Sequence, residues 1–347
     1  MQGKLVASSE VLTPIREGEK PIPRTGLGIA ADSYWVDREA SSSNPMTKSA
    51  FRDPLRLLEH CRAIGAGGIQ VGIGVRPREE KGLLRKNAEA YGMFVQGQAR
   101  LPKGEADAGR FEAELQAARD AGATVIRVAA GDRRYEAYRD PRSFQEFAAR
   151  TWDSLRVAAP LAARCGVRLA VENHKDFRVG ELLDMLRRLS SEHVGVCVDT
   201  NNSIALLEDP MAVVEALAPW AHAVHLKDVA LAPHGAGFLL ADVPLGDGIL
   251  DIPAMVRVLR RARPDLRFVI EMITRDPLVV PCLTDGYWAT LPDLPARDLA
   301  RTLGLVQAGA GKKPLPRVSQ LSRLEQGALE DENVRRCLAY AREHLEL

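Results

Sequence analysis

The sequence lacks the features that mark several large classes of protein. None of its five cysteines is spaced as CxxC, which argues against a disulfide framework and against a structural zinc site. No apolar run approaches the length that spans a bilayer, and residues 1–20 contain no apolar stretch long enough for the core of a signal peptide. We therefore expect a soluble, cytoplasmic protein without a membrane partner.

An excess of charge of one sign is also missing. Lysine and arginine total 47 and aspartate and glutamate total 46, so the formal net charge is +1. Proteins that bind nucleic acid usually present an excess of basic residues to the phosphate backbone. Nucleic acid is therefore not an expected partner.

Several catalytic motifs are missing as well. The chain has no GxSxG and no cysteine or serine set beside a convincing histidine base, so nucleophilic hydrolysis has little support. The segment GAGKK at residues 309–313 resembles part of a phosphate-binding loop, but Lys313 stands where that motif needs serine or threonine. What the sequence does have is an ordinary globular composition, 46% hydrophobic and 27% charged, which is sufficient for a substantial core.

Eight short apolar runs recur along the chain, separated by helical patterns. The runs cover residues 26–35, 67–73, 93–101, 124–130, 168–174, 194–199, 222–228 and 267–272. Several are nearly continuous, which is typical of strands covered on both faces of a parallel sheet. Asp-Pro pairs at residues 53–54, 140–141 and 209–210 supply a capping carboxylate and a preset φ for three helix starts. Eight strand–helix units of this size predict an α/β protein with a (β/α)8 TIM barrel.

This pattern divides the chain into three parts. Residues 1–25 are polar and aperiodic, and we predict an N-terminal tail or arm. Residues 26–308 form the predicted TIM barrel catalytic domain, and residues 309–347 a C-terminal helical extension that packs on the barrel or serves in homo-oligomerisation. Two long connections, at 228–251 and 274–295, are expected to build or cover the active-site end of the barrel.

The last four predicted strands each end in an ionisable side chain. These side chains are Glu172, Asp199, His225 and Glu271. Because the active sites of such barrels lie at the carboxyl ends of the strands, the four should converge. Three carboxylates at one point repel one another unless a cation compensates them, so we predict a metal site, with a structural ion-pair cluster as the alternative. Three oxygen ligands and one imidazole suit Mn²⁺, Mg²⁺, Co²⁺ or Fe²⁺, with Zn²⁺ as a further option.

Other polar residues lie close to these strand ends. Lys227 can donate to a substrate oxygen or act as an acid–base group, with a salt bridge to Asp228 or another carboxylate as the alternative. His174 lies two residues beyond Glu172 and can bind substrate. Polar residues also fall at or near strand ends in the first half of the chain, and we assign them no individual role. They are Asp32, Tyr34, Gln70, Gln98 and Arg127.

The segments that carry these residues resemble the xylose-isomerase-like TIM barrels, a family of sugar phosphate isomerases and epimerases that includes ketose 3-epimerases and inosose dehydratases. The resemblance covers residues 26–308, and its motifs are LAVENHKDF, VGVCVDTNNSIALLEDP, AVHLKDV, PLGDGILDI and FVIEM. It implies that Glu172, Asp199, His225 and Glu271 bind a divalent ion. It also implies a carbohydrate or cyclitol substrate and an isomerase, epimerase or dehydratase that moves a proton next to a carbonyl through a metal-bound enediolate. Glu172 and Glu271 would then act as base and acid.

Two positions depart from the ketose 3-epimerase pattern. Asn202 stands where those epimerases have histidine, and no arginine follows His225 closely enough to hold the end of a ketose. The sequence around Lys227 is more similar to dehydratase-like members of the family. We predict His174, Asn202 and Asp228 as substrate-binding residues and Lys227 as a catalytic residue beside the two glutamates.

Two other functions stay open. A non-catalytic sugar-binding barrel would keep the fold without turnover, because function belongs to the site and not to the scaffold. A metal-dependent phosphodiester hydrolase of the endonuclease-four type is less well supported. That branch uses three zinc ions and many histidines, whereas this chain has seven histidines and a balanced charge, and Asn202 stands where that branch has a ligand.

Overall fold

The computed structural model describes residues 23–36, 50–309 and 314–347. Residues 1–22 of the predicted arm and residues 310–313 of the phosphate-loop-like segment lie outside the described residues. The strands are β1 (Gly28–Ala30), β2 (Gly68–Val71), β3 (Phe94–Arg100), β4 (Val125–Ala129), β5 (Arg168–Glu172), β6 (Val194–Asp199), β7 (Ala221–Leu226), β8 (Asp228–His234), β9 (Gly237–Val243), β10 (Phe268–Ile270) and β11 (Leu278–Val280).

Eight of these strands form a closed parallel barrel in the order β1-β10-β7-β6-β5-β4-β3-β2. They coincide with the eight apolar runs of the sequence, and their side chains are mostly buried because helices cover the outside of the barrel. The predicted (β/α)8 TIM barrel is therefore confirmed.

Helices follow the barrel strands as the fold requires. They are α1 (Pro54–Ala63), α2 (Arg78–Tyr91), α3 (Ala108–Asp120), α4 (Arg134–Ala137), α5 (Pro141–Cys165), α6 (Val179–Leu189), α7 (Pro210–Leu217), α8 (Ile252–Ala262), α9 (Asp285–Trp288), α10 (Ala296–Gly309) and α11 (Arg323–His344). The three predicted Asp-Pro starts are confirmed, because α1, α5 and α7 each begin at the proline and the preceding aspartate accepts hydrogen bonds from the first turn. Within the described ranges, no helix combines the length and the apolar character needed to cross a bilayer.

The C-terminal helix α11 packs on the barrel. Its buried side chains Val334, Cys337, Leu338 and Ala341 belong to the same hydrophobic cluster as the barrel core. The helix lies beside α1, where His60 Nε2 is 3.5 Å from Asp331 Oδ1, and beside α8, where Arg260 donates to the backbone oxygen of Leu345. The predicted helical extension is therefore present, and its packing closes the outer layer between α8 and α1.

The two long connections form a structure that was not predicted from the sequence. β8, β9 and β11 form a three-stranded antiparallel sheet outside the barrel, and α10 packs on it through a second hydrophobic cluster that includes Leu231, Phe238 and Val306. This sheet leaves the barrel directly after β7, which ends next to the candidate site. The sheet therefore builds one side of the active-site end, as expected of these connections.

Candidate functional site

Four side chains meet at the carboxyl end of the barrel. Glu172 ends β5, Asp199 ends β6, His225 lies one residue before the end of β7, and Glu271 directly follows β10. These strands are neighbours in the barrel, so their ends converge. One ligand atom from each residue lies within 4.8 Å of the others, and all four residues are buried. The four predicted ligand residues therefore share one point, as a metal site needs.

Asp199 is held in a fixed orientation by backbone groups. Its Oδ1 accepts hydrogen bonds from the backbone amides of Asn201 and Asn202, both at 2.9 Å. The side chain of Asn173 links the ends of β5 and β6, because it accepts from the Asp199 amide at 2.7 Å and donates to the Asp199 carbonyl at 3.0 Å. The other carboxylate oxygen, Oδ2, is therefore presented to the shared point.

His225 is oriented by a residue from the opposite half of the barrel. Its Nε2 is 2.7 Å from Gln70 Oε1, and the Gln70 amide in turn donates to Gln96 Oε1 at 3.0 Å. Because Gln70 Oε1 can only accept, this contact places a ring proton of His225 on Nε2. Nδ1 lies 3.8 Å from Glu172 Oε2 and 3.6 Å from Glu271 Oε2. Burial alone would lower the pKa of His225, but neighbouring groups that include Cys197 and Glu271 raise it well above its usual value, so Nδ1 holds a proton that a bound metal ion would displace. Such a bond to the distal nitrogen is typical of metal-ligating histidines.

Two protein cations contact the ligand carboxylates. Arg127 Nε donates to Glu172 Oε2 at 2.6 Å. Burial opposes ionisation of Glu172, but the Arg127 guanidinium, together with the smaller contribution of His225, holds the pKa of Glu172 at about 2. The Lys227 ammonium contacts Glu271 Oε2 and lies 3.3 Å from Asp199 Oδ2.

The same balance of burial and charge applies around Lys227. Burial alone would lower the pKa of Lys227, but Asp199 and Glu271 raise it well above its usual value. In the same way, burial opposes ionisation of Glu271, but Lys227 and His225 together lower its pKa well below the usual value. Protein cations therefore supply part of the charge compensation that we expected from a metal ion. The predicted salt bridge of Lys227 to a carboxylate is formed, with Glu271.

Whether the site fits a metal ion depends on the donor atoms that the protein cations leave without a hydrogen-bond partner. Asp199 Oδ2 and His225 Nδ1 are buried and have no hydrogen-bond partner in the described part of the chain. Burial outweighs the attraction of Lys227 and raises the pKa of Asp199, so this carboxylate is the least well compensated of the three. An imidazole nitrogen and a carboxylate oxygen that lack hydrogen-bond partners are donors that a divalent ion can use. The residues present therefore fit the predicted ion.

The predicted substrate-binding residues have different surroundings. Asn202 lies inside the site and donates from Nδ2 to Glu172 Oε1 at 3.0 Å. His174 is partly exposed, but its Nδ1 is buried and without a partner among the described residues. Burial lowers the pKa of His174 to about 3, so the ring is neutral at neutral pH.

Asp228 is directed toward a loop and not toward the four ligand residues. Its two carboxylate oxygens accept from the backbone amides of Val229, Gly246, Gly248 and Leu250 at 2.8–3.2 Å. A Cβ on Gly248 would stand 2.1 Å from Asp228 Oδ1, so only glycine allows the loop to wrap so closely. The geometry gives Asp228 a positioning role in the loop, and its contact with substrate stays a prediction.

The polar residues near strand ends in the first half of the chain do not all lie at the site. Arg127 and Gln70 contact ligand residues, and Gln98 donates both to Asp32 Oδ2 and to Gln70 Oε1. Tyr34 instead points away from the site, because its hydroxyl is 2.6 Å from His60 Nε2 on α1.

Two buried charged residues escaped the sequence analysis. Lys175 contacts Asn202 Oδ1, and Asp242 on β9 accepts from Asn201 Nδ2 at 2.8 Å. Lys175 lies in the quoted motif LAVENHKDF, three residues after Glu172, and that spacing is a signal that could have been used. Asp242 has no such signal, because it reaches the site through the small antiparallel sheet.

Comparison with known proteins finds a relative that matches part of this chain. A curated relative, 3-oxo-isoapionate decarboxylase of Pectobacterium atrosepticum, is 28% identical over 119 residues, which cover 34% of this chain and 43% of that protein. The chain thus aligns with less than half the length of this curated relative.

Three solved structures share the architecture at low sequence identity. A D-psicose 3-epimerase crystallised in the presence of D-fructose has a TM-score of 0.59 and 16% identity, covering 92% of this chain and 99% of that one. An L-ribulose 3-epimerase has a TM-score of 0.52 and 17% identity, covering 89% and 97%. The probable 3-DHS dehydratase AsbF of Bacillus anthracis has a TM-score of 0.52 and 16% identity, covering 70% and 91%. At these identities, the structures support the fold alone.

A sequence profile of one protein family matches most of the barrel. The match covers residues 58–299, which include all four candidate ligands, and the family is described as the xylose isomerase-like TIM barrel. The resemblance seen in the sequence motifs is thereby confirmed. This chain belongs to the xylose isomerase-like TIM barrel family.

Proposed function

We propose that this chain is a divalent-metal-dependent enzyme that moves a proton next to a carbonyl in a carbohydrate or cyclitol, as an isomerase, an epimerase or a dehydratase. The observation that supports this most strongly is the convergence of Glu172, Asp199, His225 and Glu271 within 4.8 Å, with two of their donor atoms unsatisfied. The site and not the fold decides the reaction, because this fold hosts many chemistries.

The side chains around the site have the charges that this chemistry needs. A divalent ion bound there would polarise a carbonyl and a neighbouring hydroxyl of the substrate and so acidify the C–H between them. Glu172 and Glu271 are ionised because Arg127 and Lys227 lower their pKa values against the effect of burial, so each carboxylate can accept a proton. The Lys227 ammonium contacts Glu271 and can supply a proton to a substrate oxygen. The exposed fractions of Glu172 and Glu271 are 1% and 5%, so bulk water has little access to the two carboxylates.

A second candidate reaction breaks a different bond at the same carbon. The curated relative is a decarboxylase of a 3-oxo acid, and its match favours this alternative. When the C–COO⁻ bond of a 3-oxo acid breaks, CO₂ leaves and the electron pair stays on the carbon next to the carbonyl. That carbon then takes a proton. The electronic demand on the site is the same as in proton abstraction, so the same side chains can serve both reactions.

Isotope exchange separates these possibilities. Protein loaded with Mn²⁺ and protein treated with EDTA would be incubated in D₂O with keto sugars, keto cyclitols and 3-oxo sugar acids. Proton transfer predicts metal-dependent deuterium uptake next to the carbonyl with the carbon skeleton intact, measured by NMR. Decarboxylation predicts CO₂ release, which only the acids can undergo, together with one deuterium in the shortened product. The Glu271→Gln variant is expected to lose either activity.

The same experiment tests the non-catalytic alternative and the hydrolase. Sugar binding by calorimetry that persists in Glu172→Gln and Glu271→Gln, with no exchange and no CO₂ from the wild type, would favour a sugar-binding barrel. Three tightly held zinc ions per chain would favour a phosphodiester hydrolase.

A further inference from the structure

Lys175 is a buried ammonium without a carboxylate partner. Its side chain is 2% exposed. It donates to Asn202 Oδ1, and across the described residues no ion pair joins it to a carboxylate. Burial and the charge of Lys227 lower the pKa of Lys175 to about 8, so the group is still mostly charged at pH 7. A buried charge with only a neutral partner is unfavourable, so its presence calls for a ligand or a function.

The two carboxylates that act electrostatically on Lys175, those of Asp242 and Asp199, are engaged by other groups. Asp242 Oδ2 is 3.3 Å from Arg275, and its Oδ1 accepts from Asn201. Asp199 accepts two backbone amides and lies beside Lys227. If a divalent ion binds the ligand carboxylates, it competes with Lys227 for the same negative charge. Binding of a divalent ion therefore leaves the ammonium groups of Lys227 and Lys175 with less compensating negative charge.

A second group near Lys175 also lacks a partner. Nδ1 of the adjacent His174 is buried and makes no hydrogen bond within the described residues. His174 and Arg127 are partly exposed, whereas the four ligand residues are buried, so these two side chains are the parts of the site that solvent reaches. The approach to Lys175 thus offers a free hydrogen-bonding nitrogen and a guanidinium.

We infer that the substrate of this site carries a carboxylate that binds to Lys175, and is thus a sugar acid and not a neutral sugar. The inference rests on the proposed function, because it takes the carbohydrate site at the four ligands as given. A carboxylate fits the position better than a terminal phosphate does. Only the amide of Asn202 separates Lys175 from Glu172, so the anionic group lies close to the reacting carbons.

Matched pairs of ligands test the inference by binding alone. D-Gluconate has a carboxylate where D-glucitol has a hydroxymethyl group, and the two are otherwise identical. D-Xylonate and xylitol differ in the same way. Calorimetry on Mn²⁺-loaded protein at pH 7 should show each aldonate binding at least about tenfold more tightly than its alditol, as expected for hydrogen bonds to a charged group. D-Glucitol 6-phosphate serves as the terminal-phosphate ligand.

The Lys175→Met variant tests whether Lys175 causes the preference for aldonates over alditols. The aldonate preference should fall to within about twofold, while Mn²⁺ affinity and alditol affinity stay as in the wild type. Lys81→Met is the matched control, because Lys81 pairs with Asp120 at 2.8 Å on the outer helices and should leave the preference unchanged. Circular dichroism checks the fold, and Lys175→Gln is the second variant if Lys175→Met does not fold.

The outcomes separate this inference from the proposed function. Equal binding of aldonates and alditols by wild-type protein that holds Mn²⁺ would overturn the sugar-acid inference alone. An aldonate preference that persists in Lys175→Met or Lys175→Gln would show that the carboxylate binds elsewhere, and tighter binding of the phosphate than of gluconate would also overturn the inference. Failure of the wild type to bind Mn²⁺ would instead overturn the proposed function.

Discussion

The two halves of the barrel contribute different kinds of side chain to the same site. The strands β5, β6, β7 and β10 end in the carboxylates and the imidazole that can bind an ion. The strands β2 and β4 contribute Gln70, which binds His225, and Arg127, which binds Glu172. One half therefore supplies the candidate ligands and Lys227, and the other half supplies the residue that orients His225 and the guanidinium that pairs with Glu172. Because an orienting residue acts only through a ligand, changes in the two halves should differ in size.

The largest effect is expected when a ligand residue is replaced. Asp199→Asn keeps an oxygen that can accept from the amides of Asn201 and Asn202, so the fold should persist. The variant loses the negative charge of the oxygen that has no hydrogen-bond partner. We expect no measurable binding of Mn²⁺ by calorimetry and no metal-dependent exchange in D₂O.

A buried aspartate outside the ligand set provides the control. Asp242→Asn removes the charge of a carboxylate that pairs with Arg275 and not with the ligand residues. Its Mn²⁺ affinity should stay within a few-fold of the wild type. If Asp199→Asn bound Mn²⁺ as tightly as Asp242→Asn does, the four residues would be an ion-pair cluster and not a metal site.

An intermediate effect is expected when an orienting residue is replaced. Gln70→Leu removes the acceptor of the His225 ring proton, which leaves the ring free to rotate or to change its tautomer. Loss of such a partner typically lowers metal affinity about 10–100-fold. Calorimetric titration with Mn²⁺ measures this change, and thermal unfolding of the metal-free protein measures the separate cost to the fold.

Gln98→Leu sharpens the comparison within the same half of the barrel. Gln98 donates to Asp32 and to Gln70 but makes no hydrogen bond to a ligand residue in the described chain. Its effect on Mn²⁺ affinity should be at least several-fold smaller than that of Gln70→Leu. Equal effects of the two variants would mean that the amides act through the fold and not through His225.

The sequence could predict one half of this site much better than the other. Ionisable residues that directly follow apolar runs are conspicuous, so Glu172, Asp199, His225 and Glu271 could be chosen before the structure was known. Gln70 and Arg127 lie inside strands, where a polar side chain pointing into the barrel cannot be told from one pointing outward without the register. Asp242 reaches the site from an antiparallel sheet that the sequence analysis took for a long connection.

The barrel itself was predictable because each local signal agreed with the others. The eight apolar runs and the three Asp-Pro helix starts give the same alternation of strand and helix that the structure has. The hairpin of β8 and β9 was missed because only one residue separates β7 from β8. Without a turn between these strands, the sequence after β7 was interpreted as one long connection. Domain boundaries at residues 25 and 308 stay predictions.

The smallest of the expected effects concerns Asp228, which separates a loop-positioning role from the predicted role in substrate binding. Asp228→Asn keeps one acceptor oxygen and turns the other into an amide nitrogen that cannot accept from the loop amides, which include Gly246 and Gly248. Leaving buried donors unsatisfied should lower the free energy of unfolding by about 1–3 kcal/mol, measured by denaturant titration. Asp251→Asn, at the N-cap of α8, should change it far less because asparagine caps a helix about as well as aspartate. Since Asp228 points away from the four ligands, Mn²⁺ and aldonate affinity should be unchanged, and unchanged stability with weakened aldonate binding would instead favour the substrate role.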